Sequence, residues 1–379
     1  MRAAAAEPPY RLLLVDDSRP VRAVVRRIVE RWGRAEVVGE AEHGLRAVEL
    51  VQKAARGARP VELVLLDVEM PQMDGLATLE RLRAIRPAPK VIMLSALTQR
   101  GAAVTLRALS RGAADYLCKP SAQDGSAFAA FERELLDKLE LWGRALRRTA
   151  PGFGQRRATS KRIDPTRRES GPPAKAAGGT ALGPALRAIR ALAIGSSTGG
   201  PQAVMRLLGR LGPRPPYPIF VVQHMPPGFT RAFADQIAHS TGHLAVEAED
   251  RMTVADGHLY VAPGDFHMRL RREASSLMIT LDRSPPLHFC RPAVDAFLES
   301  AAPLLGRGLC AVILTGMGQD GLKGCELVIQ QGGVVLAQDE ASSVVWGMPG
   351  AVVQKGLAAL VADPETLGQR LRQAQREAA

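Results

Sequence analysis

Ala191-Leu192-Ala193-Ile194-Gly195-Ser196-Ser197-Thr198-Gly199-Gly200-Pro201 is the stretch on which the fold reading turns. A short apolar run ends in a Gly-Ser-Ser-Thr-Gly-Gly turn. Pro201 then opens a helix-like segment, Gln202 to Leu208, because its locked φ suits a first helical position. Apolar strand, glycine turn and helix in that order make a corner of an α/β fold. Within it, Gly195 to Gly199 fits G-x-S-x-G, the pattern that sets a serine hydroxyl on a sharp exposed turn. The same residues also suit a plain Gly/Ser connection or a phosphate cradle at a helix N-terminus. The pattern is loose, so the rest of the chain has to decide.

A chain of 379 residues has length for two domains with full cores. Aromatic residues make up only 4%, which argues against stacking platforms for single-stranded nucleic acid. Much of the net charge of +12 falls between Arg144 and Arg190, in a stretch rich in Pro, Gly and Ala. A basic linker of that kind is solvated by default, and no recognition-helix or zinc-finger pattern accompanies it; no nucleic-acid partner is expected. Cys118, Cys290, Cys310 and Cys325 form no C-x-x-C pair and read as small hydrophobes in a reducing compartment. No apolar run approaches bilayer length and Met1 to Pro9 lacks a signal core, so a cytoplasmic protein without membrane insertion is expected.

The N-terminal part repeats the strand-to-helix pattern five times. Arg11 to Val15 is an apolar run ending in Asp16-Asp17-Ser18, followed by a helical pattern from Pro20 to Trp32. Further strands are predicted at Ala35 to Glu40, Val61 to Leu66, Lys90 to Leu94 and Asp115 to Cys118. The last three end in Asp67, Ser95 and Lys119-Pro120. Sites of doubly wound α/β domains lie just beyond the carboxyl ends of strands, which is where these polar residues fall. Asp16, Asp17 and Asp67 would converge there; three carboxylates repel one another unless a divalent cation joins them, and hard oxygen ligands suit Mg²⁺. Ser95 and Lys119 add a hydroxyl and a cation of the kind that recognises a phosphoryl group.

Val15-Asp16-Asp17-Ser18, Leu66-Asp67-Val68-Glu69-Met70-Pro71-Gln72-Met73-Asp74-Gly75, Leu94-Ser95-Ala96 and Lys119-Pro120 together resemble the receiver domain of bacterial response regulators. The resemblance implies that Asp67 accepts a phosphoryl group from a histidine kinase. It also implies that Asp16, Asp17, Asp67 and the Glu69 carbonyl hold Mg²⁺, and that Ser95 and Lys119 bind the phosphoryl oxygens. Tyr116 stands where the family has a rotating aromatic, and the Lys119–Pro120 peptide is expected to be cis. The receiver is predicted over residues 10–131 and a basic flexible linker over 132–187, although Glu132 to Arg148 also fits a helix.

A second, mainly parallel doubly wound α/β domain is predicted over residues 188–379. Pro218 to Val222 is a strand ending in Gln223-His224-Met225-Pro226-Pro227-Gly228-Phe229, and Leu309 to Leu314 ends in Thr315-Gly316-Met317-Gly318-Gln319-Asp320-Gly321. Gly333 to Ala337 reads as a late strand. Leu259 to Ala262 and Ser276 to Leu281 read as shorter strands, paired in a hairpin across a charged turn.

Ser197, His224 and Asp320 thus fall at three strand ends. A serine hydroxyl needs a base of suitable pKa, and a buried carboxylate orients that base and stabilises its charged form. The glycines around Met317 free backbone amides to face an oxyanion. The order Ser, His, Asp differs from that of the α/β-hydrolases. Their order would need His258, His267 or His288, which read as exposed, and no histidine pair has zinc-ligand spacing.

The three glycine-rich segments together are similar to the catalytic domain of the chemotaxis protein-glutamate methylesterases, the CheB family, whose receiver–linker–enzyme layout this chain shares. The resemblance implies Ser197 as nucleophile, His224 as base and Asp320 as orienting carboxylate. It puts the Met317 amide at the oxyanion and Thr198 beside the nucleophile. The implied reaction is hydrolysis of glutamate γ-methyl esters on chemoreceptor helices, often with deamidation of receptor glutamines, and needs no cofactor beyond Mg²⁺ in the receiver. It also implies that the receiver covers the Ser197 cleft until Asp67 is phosphorylated by a chemotaxis-type kinase. Ser196 departs from the family's usual alanine, and the linker is long and basic. An adaptor without chemistry would carry a degraded triad, and a DNA-binding regulator would show salt-dependent retention through the linker. An esterase for some other ester is the third reading.

Overall fold

The computed structural model describes residues 8–120, 125–149 and 179–378. The chain divides between Ser170 and Gly171 into two compact units. In the first, strands and helices alternate: β1 (Tyr10–Val15), α1 (Arg19–Trp32), β2 (Ala35–Ala41), α2 (Gly44–Ala55), β3 (Leu63–Asp67) and α3 (Gly75–Ala84). They continue with β4 (Lys90–Ser95), α4 (Gln99–Ser110), β5 (Asp115–Cys118) and α5 (Gly125–Thr149). The five strands form one parallel sheet in the order β2-β1-β3-β4-β5. Parallel strands covered by helices on both faces need apolar residues without alternation, and Leu12 to Val15 and Leu63 to Leu66 are all buried. The order reverses between β1 and β3, so a crevice opens beyond their carboxyl ends.

Residues 132–149, counted with the linker on composition, continue α5. Leu135, Leu139 and Trp142 of this helix are buried. The buried Lys138 Nζ donates to Asp115 Oδ1 at 2.8 Å and to the Tyr116 carbonyl at 2.7 Å, and Trp142 Nε1 donates to Asp115 Oδ2 at 3.3 Å. The helical reading of Glu132 to Arg148 agrees with α5, and the helix buries one lysine against one aspartate rather than running free as linker. The flexibility predicted from Thr149 to Pro184 falls mostly on residues 150–178, outside the described residues, while its end, from Gly179, is helical.

The second unit opens with α6 (Gly179–Arg187), within the predicted linker, whose Arg187 pairs with Glu377. It continues through β6 (Ala191–Ser196), α7 (Gly200–Leu211), β7 (Ile219–Gln223), α8 (Phe229–Thr241), β8 (Leu244–Glu247) and β9 (His258–Val261). Next come β10 (His267–Glu273), β11 (Ser276–Asp282), α9 (Val294–Leu305), β12 (Leu309–Ile313) and α10 (Leu322–Gln330). The chain closes with β13 (Val334–Gln338), α11 (Met348–Gln354), β14 (Leu360–Ala362) and α12 (Pro364–Ala378). Seven parallel strands form a sheet in the order β14-β13-β12-β6-β7-β9-β8. As the first strand, β6 lies in the middle; the chain first builds outward past β7 and then returns to build outward past β12. The carboxyl ends of β12, β6 and β7 are therefore neighbours at the switch point.

The predicted hairpin needs correction. Its partner strands are β10 and β11, antiparallel, whereas residues 258–261 pair in parallel with β7 and β8 inside the main sheet. The segment His267-Met268-Arg269-Leu270-Arg271-Arg272-Glu273 reads as a charged turn, yet Met268 and Leu270 are buried in a strand while Arg269 is half-buried and Arg271 exposed between and beyond them. No helix among the described residues is long and apolar enough to cross a membrane.

The Lys138–Asp115 pair generates a test of the helix assignment. Lys138→Ala leaves a buried carboxylate without its cation and should destabilise the first unit by about 3–5 kcal/mol in denaturant unfolding. Replacing both partners by apolar residues should restore most of that loss. A Lys138→Ala chain as stable as the parent would show that α5 is not an integral part of the unit.

Candidate active site

Two sites lie at strand carboxyl ends, one in each unit. In the first unit Asp16 and Asp17 follow β1, Asp67 ends β3, Ser95 ends β4 and Lys119 follows β5. The carboxylates of Asp16, Asp17 and Asp67 each offer an oxygen within 4.8 Å of the others. Lys119 Nζ sits 2.8 Å from Asp16 Oδ2 and 2.9 Å from Asp67 Oδ2. Burial raises the Asp67 pKa to about 6; Lys119 pulls it down and the neighbouring Asp16 charge pushes it up. One ammonium thus serves two buried carboxylates, and the remaining negative charge, presented by hard oxygens, fits a divalent cation. Ser95 is fully buried at the same rim. The exposed Glu69 carboxylate lies 3.8 Å from Arg100. Tyr116 is buried, with the Lys138 ammonium 5.0 Å from its ring centre.

The expected cis peptide at Lys119–Pro120 is not found. The cis bonds of the described residues are Arg86–Pro87 and Arg291–Pro292. For an X–Pro bond the two forms differ by only about 0.5–1 kcal/mol, so tertiary context decides and sequence does not.

In the second unit Ser197 follows β6, His224 follows β7 and Asp320 lies in the turn after β12. Asp320 is 1% exposed and carries three hydrogen bonds. His224 Nε2 and the Val294 N–H each donate to its Oδ2 at 2.7 Å, and the Asp295 N–H donates to Oδ1 at 3.0 Å. Val294 and Asp295 open α9, so the carboxylate caps a helix N-terminus, where partial positive charge favours it. Burial opposes ionisation of Asp320, yet the His224 contact and these N–H groups hold its pKa below the usual carboxylate value. A carboxylate only accepts, so His224 carries its proton on Nε2. Burial likewise opposes charging of the imidazole, but Asp320 and the neighbouring Cys290 together outweigh it and raise the His224 pKa.

Four residues outside the predicted site belong to it. Cys290, read from sequence as a small hydrophobe, is half-buried beside His224 and helps raise its pKa. Gln223 Nε2 donates to the carbonyls of Ser197, at 2.9 Å, and His224, at 3.1 Å. His288 Nε2 donates to Asp295 Oδ2 at 2.9 Å, and Asp295 Oδ1 accepts from the Gly324 N–H at 2.7 Å. The oxygens of Asp295 and Asp320 are thus taken by N–H donors, which argues against reading the His288–Asp295–Asp320 cluster as a metal site. Only Gln223 had a signal in the sequence, as the neighbour of His224.

Ser197 is partly exposed, and its N–H donates to the Thr315 carbonyl at 3.0 Å. Thr315 Oγ1 donates to the Thr198 carbonyl at 3.0 Å, which ties the serine turn to the loop after β12. The Gly316 carbonyl accepts from the Gly347 and Met348 N–H groups, and Met317 stands 40% exposed at the tip of that loop. No hydrogen bond joins Ser197 Oγ to His224 among the described residues. Of the alternative histidines, His267 is fully buried rather than exposed, and its Nε2 faces the Pro285 carbonyl at 3.2 Å.

Comparison with known proteins matches residues 192–371 to the family model described as CheB methylesterase and residues 12–126 to the response regulator receiver domain. The chain is 42% identical to a protein-glutamate methylesterase/protein-glutamine glutaminase of Azospirillum brasilense, over 97% of this chain and 93% of that one. It is 41% identical to a protein of the same name from Nitrobacter hamburgensis, over 98% of both chains. The crystal structure of the Thermotoga maritima CheB methylesterase catalytic domain is 41% identical, covers 49% of this chain and 98% of its own, and superposes with a TM-score of 0.48. With a receiver, a methylesterase domain and near-complete coverage by such relatives, the chain belongs to the CheB family of receiver-linked protein-glutamate methylesterase/protein-glutamine glutaminases.

Proposed function

We propose that this protein is a phosphorylation-activated serine hydrolase of chemotaxis adaptation. Its substrates are glutamate γ-methyl esters, and selected glutamines, on the cytoplasmic helices of chemoreceptors. The observation that carries this reading is the buried His224–Asp320 pair beside the Ser197 turn, in a chain whose relatives bear methylesterase/glutaminase names. Ser197 is the nucleophile. Its Oγ loses a proton to His224 and attacks the ester carbonyl carbon, while Asp320 stabilises the imidazolium without taking the proton. The negative oxygen of the tetrahedral adduct faces the Met317 N–H, and Thr198 flanks the nucleophile. His224 returns the proton to the departing methoxide, which leaves as methanol. Water then attacks the acyl-serine by the same route and frees the glutamate carboxylate. With glutamine the leaving group is ammonia.

In the receiver, Asp67 accepts the phosphoryl group from a histidine kinase of the chemotaxis type, with Ser95 and Lys119 toward the phosphoryl oxygens. Asp16, Asp17, Asp67 and the Glu69 carbonyl would hold Mg²⁺, which when bound offsets charge on those oxygens. Ester hydrolysis itself uses only the side chains named. Activation requires that the two states of the receiver interact differently with the rest of the chain. The burial of Leu135 and Leu139 supports a receiver that ends with α5 rather than at Phe131. The proposed setting is the cytoplasm, where the receptor helices lie.

Methanol release from methylated receptor membranes tests the assignment. Ser197→Ala should lower turnover by more than about 10³-fold. A small phosphodonor should accelerate the parent enzyme and leave Asp67→Ala unchanged; equal rates with and without it would sink the activation. Because the base must be neutral and the Asp320 contact raises its pKa, activity should rise with pH along a limb above about 6.5, the ordinary histidine value. Asp320→Asn should lower turnover by about 10⁴-fold. A limb at or below the ordinary value would contradict His224 as the base.

A further inference from the structure

Ser196 is fully buried and Gln223 is 1% exposed. Ser196 Oγ donates to Gln223 Oε1 at 2.7 Å. On the other side of the amide, Nε2 uses its two hydrogens on the carbonyls of Ser197 and His224, at 2.9 and 3.1 Å. Carbonyl oxygens only accept, so the NH₂ group must face them and Oε1 must face the serine. Turning the amide over would set three oxygens against one another without a proton between them. The Ser197 carbonyl also accepts from the Gly200 N–H at 2.8 Å, and the Ser196 carbonyl accepts from the His224 N–H at 3.1 Å. A Cβ at position 200 would come within 2.1 Å of Gln223 Oε1. The second glycine of the Gly199-Gly200 pair therefore makes room for this amide under the first turn of α7.

We propose that Ser196 and Gln223 are positioning residues that hold the backbone of Ser197 at a set spacing from that of His224. This inference rests on the reading of Ser197 as nucleophile and His224 as base. Neither positioning residue touches substrate. The amide spans the two strand ends that carry the reacting side chains, and the serine hydroxyl supplies the one donor that Oε1 otherwise lacks. With alanine at 196, a buried acceptor loses its donor and the amide shifts to find another, which moves both carbonyls it holds. Small displacements of reacting groups cost rate steeply, whereas substrate affinity, set by surfaces elsewhere, is unaffected. The imidazole keeps its Asp320 contact, so its ionisation is unaffected too.

The test is a double-mutant cycle on the full-length, phosphodonor-activated enzyme, read as methanol release from methylated receptor membranes. Ser196→Ala should lower kcat about three- to tenfold and Gln223→Met about 10²-fold, with KM and the acidic limb of the pH profile unmoved. In the Gln223→Met background, Ser196→Ala should have no further effect on kcat. Should Gln223→Met fail to fold, Ser196→Ala alone still decides: an unchanged kcat, or a loss carried by KM, overturns the proposal. Independent, multiplying losses in the cycle overturn it as well. Ser197→Ala, run beside them, separates the two levels. If that variant keeps substantial turnover, the nucleophile reading falls and the positioning role with it. If it is inactive while Ser196→Ala equals the parent, only the positioning role falls.

Discussion

A carboxylate that stays ionised with 1% of its surface exposed is the constraint on which the second unit depends. Asp320 remains charged because three donors converge on it, and two of them are the first N–H groups of α9. That requirement pulls the start of α9 onto the carboxyl edge of the sheet. Gly195 is where the approach is felt in β6: a Cβ there would meet Val294 at 2.7 Å. The first glycine of the G-x-S-x-G turn is thus demanded by packing beneath α9 as much as by the turn itself. With the carboxylate fixed, His224 has one orientation, and its other surroundings, Cys290 and the Gln223 amide behind it, fall into register.

The two sites share a topology and differ in electrostatics. Both sit where neighbouring strands of a parallel sheet run in opposite order, so side chains from distant parts of the chain meet at one edge. In the second unit the oxygens of Asp295 and Asp320 are each matched by a donor, and the Asp320 pKa lies below its ordinary value. In the first, burial lifts Asp67 to about 6 and a single lysine answers to Asp16 and Asp67 together. A saturated site holds one geometry. An under-compensated one is built to take up a charged group from outside. That contrast fits a chain in which one unit does chemistry and the other changes state.

Much of this was legible in the sequence, and for a local reason. A buried parallel strand must be a short continuous apolar run, and the residues just after that run lie at the sheet's carboxyl edge. Reading Asp16, Asp67, Ser95, Lys119, Ser197, His224 and Asp320 off the ends of such runs required no knowledge of pairing order. The same rule failed where apolar runs were interrupted. Met268 and Leu270 alternate with arginines, so β10 passed for a turn.

Sequence by itself therefore determined the two α/β units, the polar residues at their strand ends and the order of the three that converge beyond β6, β7 and β12. The tertiary structure alone decided what surrounds them. Cys290 meets His224 across 66 positions of chain, Val294 and Asp295 reach Asp320 from a helix start, and Lys138 reaches back to Asp115. The trans form of Lys119–Pro120 and the mate of β11 were settled in the same way. Each of these depends on which elements pack together, and close-packed contacts between segments far apart in sequence leave no periodic trace in either one.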